Sequence, residues 1–400
     1  MKRVGVIGGG QLAGMMGGAA QALGIELLVQ TPSSNDPAVA IAADTILAPV
    51  DDAAATAELA TRCDVITFEN EFVNLEALLP LAQQGVCFRP GLQVLSPLLD
   101  KYHQRCYLKQ LGLPQPKFVA LSSPLPPCSS APLPFPVVLK ARRHGYDGQG
   151  TFIIQDYEAL QHKLEAYSTQ QVGSQPTFLL EEFVAFEREL AVIAARSAAG
   201  EIVTYPIVET QQEEQVCRRV LVPADIKGAV AAEIEAIAHT LLDSLQVVGV
   251  FGIELFLTPD GKVLVNEIAP RTHNSGHFTL DACETSQFEQ QLRAVCNLPL
   301  GNPALRCAEA VMVNLLGYEY AQDDYRAKRQ QLEQILRAHV HWYGKTESYP
   351  GRKLGHVTVL LNAQNQAESS TASVGDRSAC RSSKDRRAIA QTIESIWYGG

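Results

Sequence analysis

Residues Phe251 to His277 read FGIELFLTPDGKVLVNEIAPRTHNSGH and concentrate side chains able to do chemistry. Apolar residues run from Phe251 to Leu257, Thr-Pro-Asp-Gly turns the chain, and Val263 to Ile268 runs back. Asp-Gly is a strong hairpin signal because both central positions of a type I′ turn take φ > 0. A turn at Asp260-Gly261 pairs Pro259 with Lys262 and, counted back, sets Glu254 opposite Glu267. Facing carboxylates on an apolar hairpin repel. A divalent cation between them reverses the sign, and a small set of hard oxygen ligands suits Mg²⁺ held partly by a nucleotide's phosphates. The alternatives are that both carboxylates face water or that the register slips by one residue. Asn266 and the polar run Arg271, His273, Asn274, His277 favour a site.

The elements that must position these residues come from a 400-residue chain, long enough for about two to three domains. A formal charge of −10 argues against a nucleic-acid binder. Nine cysteines without a C-x-x-C pair indicate neither a disulfide framework nor a zinc knuckle. The short apolar start is no signal peptide, and no stretch is long enough to cross a bilayer, so the expected setting is soluble and cytoplasmic.

The chain opens on a strand, Lys2 to Ile7, the turn Gly8-Gly9-Gly10-Gln11-Leu12, and a helix to about Leu23. That is the start of a doubly wound unit, continued by strands at Glu26 to Val29, Asp64 to Phe68 and Val86 to Phe88. The turn fits G-x-G-x-x-A, but Gln30-Thr31 stands where a dinucleotide site needs an acid. Asp100 to Leu111 is a helix bearing Lys101. Lys140 ends a strand before ARRHGYDGQG, whose glycines suit a lid over phosphates although the P-loop spacing is missing; in isolation, Lys140 reads better as a surface lysine. Strand Thr177 to Leu180 leads into Glu181-Glu182-Phe183-Val184, where backbone groups could read an adenine edge and Glu189 could accept from ribose hydroxyls. Helices are expected over 229–245, 280–296 and 323–338. Lys345, Arg352, Lys353 and His356 crowd a short stretch, either a solvated basic loop or a pocket for a phosphorylated ligand. Residues 363–400 read as a disordered tail with a short helix, Ile389 to Trp397.

GGGQL, KARRHGYDGQG, EEFVAFEREL, the hairpin and YGKTESYPGRKLGHVTV, in this order and spacing, resemble the ATP-grasp superfamily. Within it, the chain resembles the 5-(carboxyamino)imidazole ribonucleotide synthase (PurK) family up to about residue 362. The resemblance implies an α/β chain: a doubly wound pre-ATP-grasp domain (1–100), a two-subdomain ATP-grasp fold with a lid (101–180) and a large part (181–300), and a small β-rich C-terminal segment (301–362). It implies ATP-dependent carboxylation of aminoimidazole ribonucleotide by bicarbonate through carboxyphosphate, with Mg²⁺ or Mn²⁺, a homodimer and a possible hand-off to a following mutase.

Carried over by motif, Lys101 and Lys140 resemble the phosphate lysines, and Gly145, Tyr146, Asp147, Gly148, Gln149 and Gly150 the lid loop. Glu181, Glu182, Phe183, Val184, Glu189 and Asn266 complete the ATP site, with Glu254 and Glu267 on the metal. Arg271, His273 and Asn274 correspond to the bicarbonate and carboxyphosphate residues. Gly10, Gln11, Leu12, Glu71, Lys345, Arg352 and Lys353 correspond to the ribonucleotide site. Gln149 departs from a frequent lysine, and Ala13-Gly14-Met15 stands where an arginine is common. The rival functions are a formate-using ATP-grasp transformylase, a nicotinamide oxidoreductase and a non-catalytic nucleotide-binding protein.

Overall fold

The computed structural model describes residues 1–121, 133–143, 150–170, 178–361 and 378–399. The lid-loop residues Gly145, Tyr146, Asp147, Gly148 and Gln149 lie outside these.

Near the N-terminus, parallel strands stand in the order Asp44–Leu47, Ile25–Thr31, Lys2–Ile7, Val65–Phe68. Val4, Val6, Leu27, Val29 and Val65 face one core and Ile7, Leu28, Ile66 and Phe68 another, as a sheet covered on both faces requires. Val86 to Phe88 contributes only the bridge Ile66–Phe88, because Pro90 follows at once without an N–H to extend the ladder. The expected first helix is two, Gln11–Gly14 and Gly17–Leu23. Gly14 and Gly17 lie against Pro37 and Ile41, where an added Cβ would stand 3.2 and 3.0 Å from the nearest atoms.

A second sheet, antiparallel, stands in the order Phe118–Ala120, Phe178–Glu182, Val137–Ala141, Thr151–Ile154. Behind it the main sheet runs Val263–Ala269, Gly249–Leu257, Arg188–Arg196, Val208–Glu213, Val216–Val222, Glu309–Leu316, Lys353–Leu361, Ala338–Trp342. The C-terminal strands Glu309–Leu316, Lys353–Leu361 and Ala338–Trp342 therefore continue this main sheet. Helix Gly228–Leu245 buries Val230, Ile234, Ile237, Ala238, Leu241, Leu242 and Leu245. That one-sided spacing backs the hairpin with an apolar core.

Three further helices differ from expectation. The stretch 280–296 is two helices, Thr279–Ala282 and Gln287–Val295, because Cys283 bridges to Leu305 and Ser286 caps the second by accepting from the Glu289 N–H. The stretch 323–338 is helical only over Arg326–Glu333 before strand Ala338–Trp342 begins. The tail, expected to be disordered before Ile389, holds a helix over Ser378–Tyr398, with residues 362–377 outside the described set. Its Trp397 is fully buried and donates from Nε1 to the Leu316 carbonyl at 2.8 Å. No helix among the described residues is long and apolar enough to cross a membrane.

Candidate active site

Glu254 and Glu267 are direct cross-strand partners, reached differently from the count above. Near the turn Leu257 pairs with Val263 and Leu255 with Val265; a bulge then shifts the register before Glu254 meets Glu267. The extra residue is Asn266. A bulge re-aims side chains and leaves one residue out of the ladder, and Asn266 Oδ1 accepts from Lys140 Nζ at 3.0 Å.

Helix Lys101–Gln110 is stapled to this bulge. Gln104 exchanges two 3.0 Å hydrogen bonds with the Ile268 backbone, and Arg105 donates to the carbonyls of Val265 at 2.6 Å and Asn266 at 2.7 Å. Asp100 caps the helix, accepting from the N–H groups of Tyr102 and His103, and also accepts from Arg142. The cap fixes Lys101 at the helix start, where its Nζ donates to Glu267 Oε2 at 2.9 Å.

Desolvation, with Glu267 beside it, pushes the Glu254 carboxyl up to about 7. Its side chain keeps 24 % of its surface, so the cleft walls produce that desolvation. Desolvation acts on Glu267 too, but Lys101 and Lys140 hold it below the usual range. Glu189, desolvated and near Glu254, also rises to about 7. Two carboxylates face to face, one with its proton affinity raised by the other, are a donor set that a divalent cation fits.

Glu181 does not present its carboxylate to a nucleotide. Its side chain is 3 % exposed, takes a two-point fork from Arg105 (2.6 and 3.0 Å) and lies 2.9 Å from Lys140 Nζ. The Glu182 carboxylate likewise turns to the Lys117 N–H. Glu181, Glu182, Phe183 and Val184 all line the cleft at this strand end. Phe186 stacks on Phe256 at 4.7 Å and 5° beside it.

The loop after the hairpin is pinned through its backbone. Gln287 accepts from the His273 N–H at 2.9 Å and donates to the His273 carbonyl at 2.8 Å. Gly252 lies under His273, where an added Cβ would stand 2.5 Å from the His273 Cβ. His273 Nε2 is 3.5 Å from Glu254 Oε1, and its Nδ1 is 2.9 Å from Ser275 Oγ. Asn274 is committed to a reciprocal amide pair with Asn314, at 3.0 and 2.7 Å. Arg271 Nε stands 2.9 Å from Glu71 Oε1, an ion pair whose N–H is not aligned on the oxygen.

At the far end Lys345 Nζ donates to Gln11 Oε1 at 2.7 Å. Arg352 donates to the Glu347 carbonyl at 2.8 Å, and Lys353 lines the same wall. The glycine turn is close-packed: an added Cβ on Gly10 would stand 2.5 Å from Glu69 Oε1 and one on Gly9 2.5 Å from Thr31 Oγ1. Packing against Glu69 and Thr31 accounts for these glycines without a dinucleotide. One cleft of about 1900 Å³ contains Gly10, Gln11, Leu12, Glu71, Lys101, Lys140, Glu189, Glu254, Asn266, Glu267, Arg271, His273, Asn274, Lys345, Arg352 and Lys353. Pockets for one drug-sized ligand run to about 1000 Å³, so this cleft has room for two ligands end to end.

The sequence profile of the ATP-grasp domain matches residues 106–288, that of the ribonucleotide synthetase preATP-grasp domain 1–96, and that of the phosphoribosylaminoimidazole carboxylase C-terminal domain 310–370. The N5-carboxyaminoimidazole ribonucleotide synthase of Synechococcus elongatus is 54 % identical over 398 residues, 99 % of this chain and 96 % of that one. The chain belongs to the N5-carboxyaminoimidazole ribonucleotide synthase family. Two crystal structures of this synthase from Aspergillus clavatus each match 98 % of the chain and 99 % of their own. The one complexed with ATP has TM-score 0.85 at 31 % identity, and the one with ADP and 5-aminoimidazole ribonucleotide 0.83 at 30 %.

Arg105, Gln104, Asn314 and Gln287 escaped the reading of this synthase-family sequence. Arg105 had a usable signal, since it stands four residues after Lys101 and shares its helix face. Asn314 had none, being one polar residue in an apolar strand.

Proposed function

We propose that this chain carries out its family's reaction: ATP and bicarbonate carboxylate the amine of aminoimidazole ribonucleotide, giving N5-carboxyaminoimidazole ribonucleotide, ADP and phosphate for purine biosynthesis. The observation that carries this reading is the continuity of one cleft from the lysine and glutamate cluster at Glu254–Glu267 to the basic wall at Lys345–Arg352.

Bicarbonate is a weak electrophile, so its oxygen must first take the γ-phosphoryl group, forming carboxyphosphate. In that step Lys101 and Lys140 face the charge spreading over the phosphoryl oxygens. Burial holds the Lys140 ammonium below its usual pKa while Glu181 opposes that shift. The fork from Arg105 to Glu181 keeps the ammonium aimed. Mg²⁺ or Mn²⁺ held by Glu254 and Glu267 would supply further neutralisation of phosphate charge. The Val184 backbone and the Phe186–Phe256 stack suit the adenine, and Glu189 suits the ribose hydroxyls.

Carboxyphosphate is labile, and the loop after the hairpin suits its protection. Arg271 can clamp carboxyl oxygens, and His273 can accept the proton that the attacking amine loses. Asn274, paired to Asn314, holds the turn that presents them. Gln11, Lys345, Arg352 and Lys353 suit the ribonucleotide phosphate, with Gly10, Leu12 and Glu71 on the facing wall. Such proximity turns a bimolecular attack into a local one. The free described cysteines fit a cytoplasmic enzyme; we also propose a homodimer and direct hand-off of the unstable carbamate to a mutase.

The test is phosphate release from Mg·ATP and bicarbonate with and without aminoimidazole ribonucleotide. Strong stimulation, with labelled bicarbonate in the product, is expected. Stimulation by formate and glycinamide ribonucleotide instead would replace the substrate and keep the fold.

A further inference from the structure

Behind the catalytic loop, away from the cleft, three histidines and an aspartate gather on three elements. His341 and His356 are direct cross-strand partners whose rings stack at 4.5 Å and 16°. Asp281, on helix Thr279–Ala282, places Oδ2 2.9 Å from His341 Nε2 and Oδ1 3.5 Å from His339 Nδ1. One ligand atom each from Asp281, His341 and His356 lie within 4.8 Å of one another.

We propose that Asp281, His341 and His356 form a second cation site for a zinc-class divalent ion, separate from the Glu254–Glu267 pair. Two observations point to a ligand rather than a plain ion pair. His356 is fully buried, yet its Nε2 has no hydrogen-bond partner among the described residues. Leaving such a group unsatisfied is costly. Its other nitrogen, Nδ1, stands 2.7 Å from the buried Tyr343 hydroxyl. If Nδ1–H donates to that oxygen, the lone pair is on Nε2. This is the second contact that orients a metal-binding histidine.

Two imidazoles and one carboxylate suit Zn²⁺, Co²⁺ or Ni²⁺ better than Mg²⁺. Ligand atoms around tetrahedral zinc, with bonds of about 2.0–2.1 Å, stand roughly 3.3 Å apart, so capture requires a contraction of up to about 1.5 Å. Two nearly parallel stacked rings cannot share one in-plane ion, so His341 must turn. Its side chain is 31 % exposed, so the ring can rotate by exchanging its 2.9 Å contact with Asp281 for the ion, and His339, 44 % exposed, stands beside the entry as a fourth donor or yields to water. Such an ion would tie the helix following Arg271–His277 to the strand that begins at Lys353, linking the catalytic loop to the basic wall.

The experiment uses the full chain, stripped with chelator and kept in saturating Mg²⁺ to occupy the cleft. Co²⁺ is titrated by visible absorption and Zn²⁺ by competition with a chromogenic chelator, in the parent and in Glu267→Gln, His341→Ala and Asp281→Asn. Expected are one equivalent bound at micromolar affinity or tighter, ligand-field bands without thiolate charge transfer, and no change in Glu267→Gln. His341→Ala and Asp281→Asn, verified as folded by circular dichroism and thermal midpoint, should each weaken binding about 10- to 100-fold. Absence of a saturable site, thiolate bands from the cysteines, or unchanged affinity in both variants would overturn the proposal. None of these readouts depends on the carboxylation reaction.

Discussion

Lys345 Nζ donates both to Gln11 Oε1 at 2.7 Å and to the Lys353 carbonyl at 2.9 Å. One ammonium thus joins the glycine turn at the start of the chain to the strand that begins at Lys353. Arg352, beside it, bonds outward to Glu347 and packs over Tyr349, leaving its guanidinium able to exchange those partners for a phosphate. Arg352→Ala should raise the KM for the ribonucleotide at least about tenfold, as loss of a charge-assisted contact does, and barely move that for ATP. Equal rises in steady-state kinetics would remove Arg352 from the ribonucleotide end.

Glu267→Gln keeps the shape of the hairpin while taking a negative charge from between Lys101 and Glu254. Turnover at saturating Mg²⁺ should fall at least about 100-fold, with a thermal midpoint within a few degrees of the parent. Parental turnover in this variant would refute the metal assignment.

The Arg105–Glu181–Lys140 cluster sets an acid limit on the fold. Burial opposes ionisation of Glu181, but Arg105 and Lys140 win and hold its carboxyl at about 2. A carboxyl depressed by folding adds stability above its unfolded pKa near 4.5, and that contribution is lost as pH falls from there towards 2. Arg105→Met should therefore destabilise by about 3–5 kcal/mol at neutral pH, by stranding a buried charge, and should flatten the slope of stability between about pH 5 and 3. Denaturant unfolding at several pH values measures both.

Gly252→Ala tests whether His273 must sit where the structure holds it. The new methyl would press on the His273 Cβ and Cγ, so relieving the contact shifts the imidazole relative to the strand that carries Gly252 and Glu254. A fall in kcat of roughly 10- to 100-fold is expected from such misplacement, with little change in either KM. An unchanged kcat would mean that the position of His273 does not matter to the reaction.

The parts legible in the sequence were those encoded locally. The glycine turn, the Asp-Gly turn between the apolar runs of the hairpin and the helix that Asp100 opens each declare themselves within a few residues. The Glu254–Glu267 pairing was read correctly through a turn register that is off by one, because the bulge at Asn266 restores the count. Nothing in the residue pattern announces that bulge; it follows from Arg105 and Gln104 gripping the backbone of Val265, Asn266 and Ile268 from a helix far away in sequence. The orientation of Glu181 was illegible for the same reason, since its partners lie on a helix and a neighbouring strand. Breaks in the expected helices at Met15 and Cys283 likewise answer to packing against Pro37 and Leu305. The tail helix was underestimated because its polar first half offers no apolar stripe.

The bulge also divides the hairpin into two lengths of different register. Beyond Leu255 the strands keep the register of their loop, while before Glu254 they keep the register of the site. The tip at Asp260–Gly261 is exposed and is closed by the Thr258 hydroxyl, which donates to Asp260 Oδ1 and accepts from the Lys262 N–H. Extra residues placed there should be absorbed without sliding the two carboxylates past each other. The tip is therefore a suitable point at which to graft a reporter or open the chain for circular permutation.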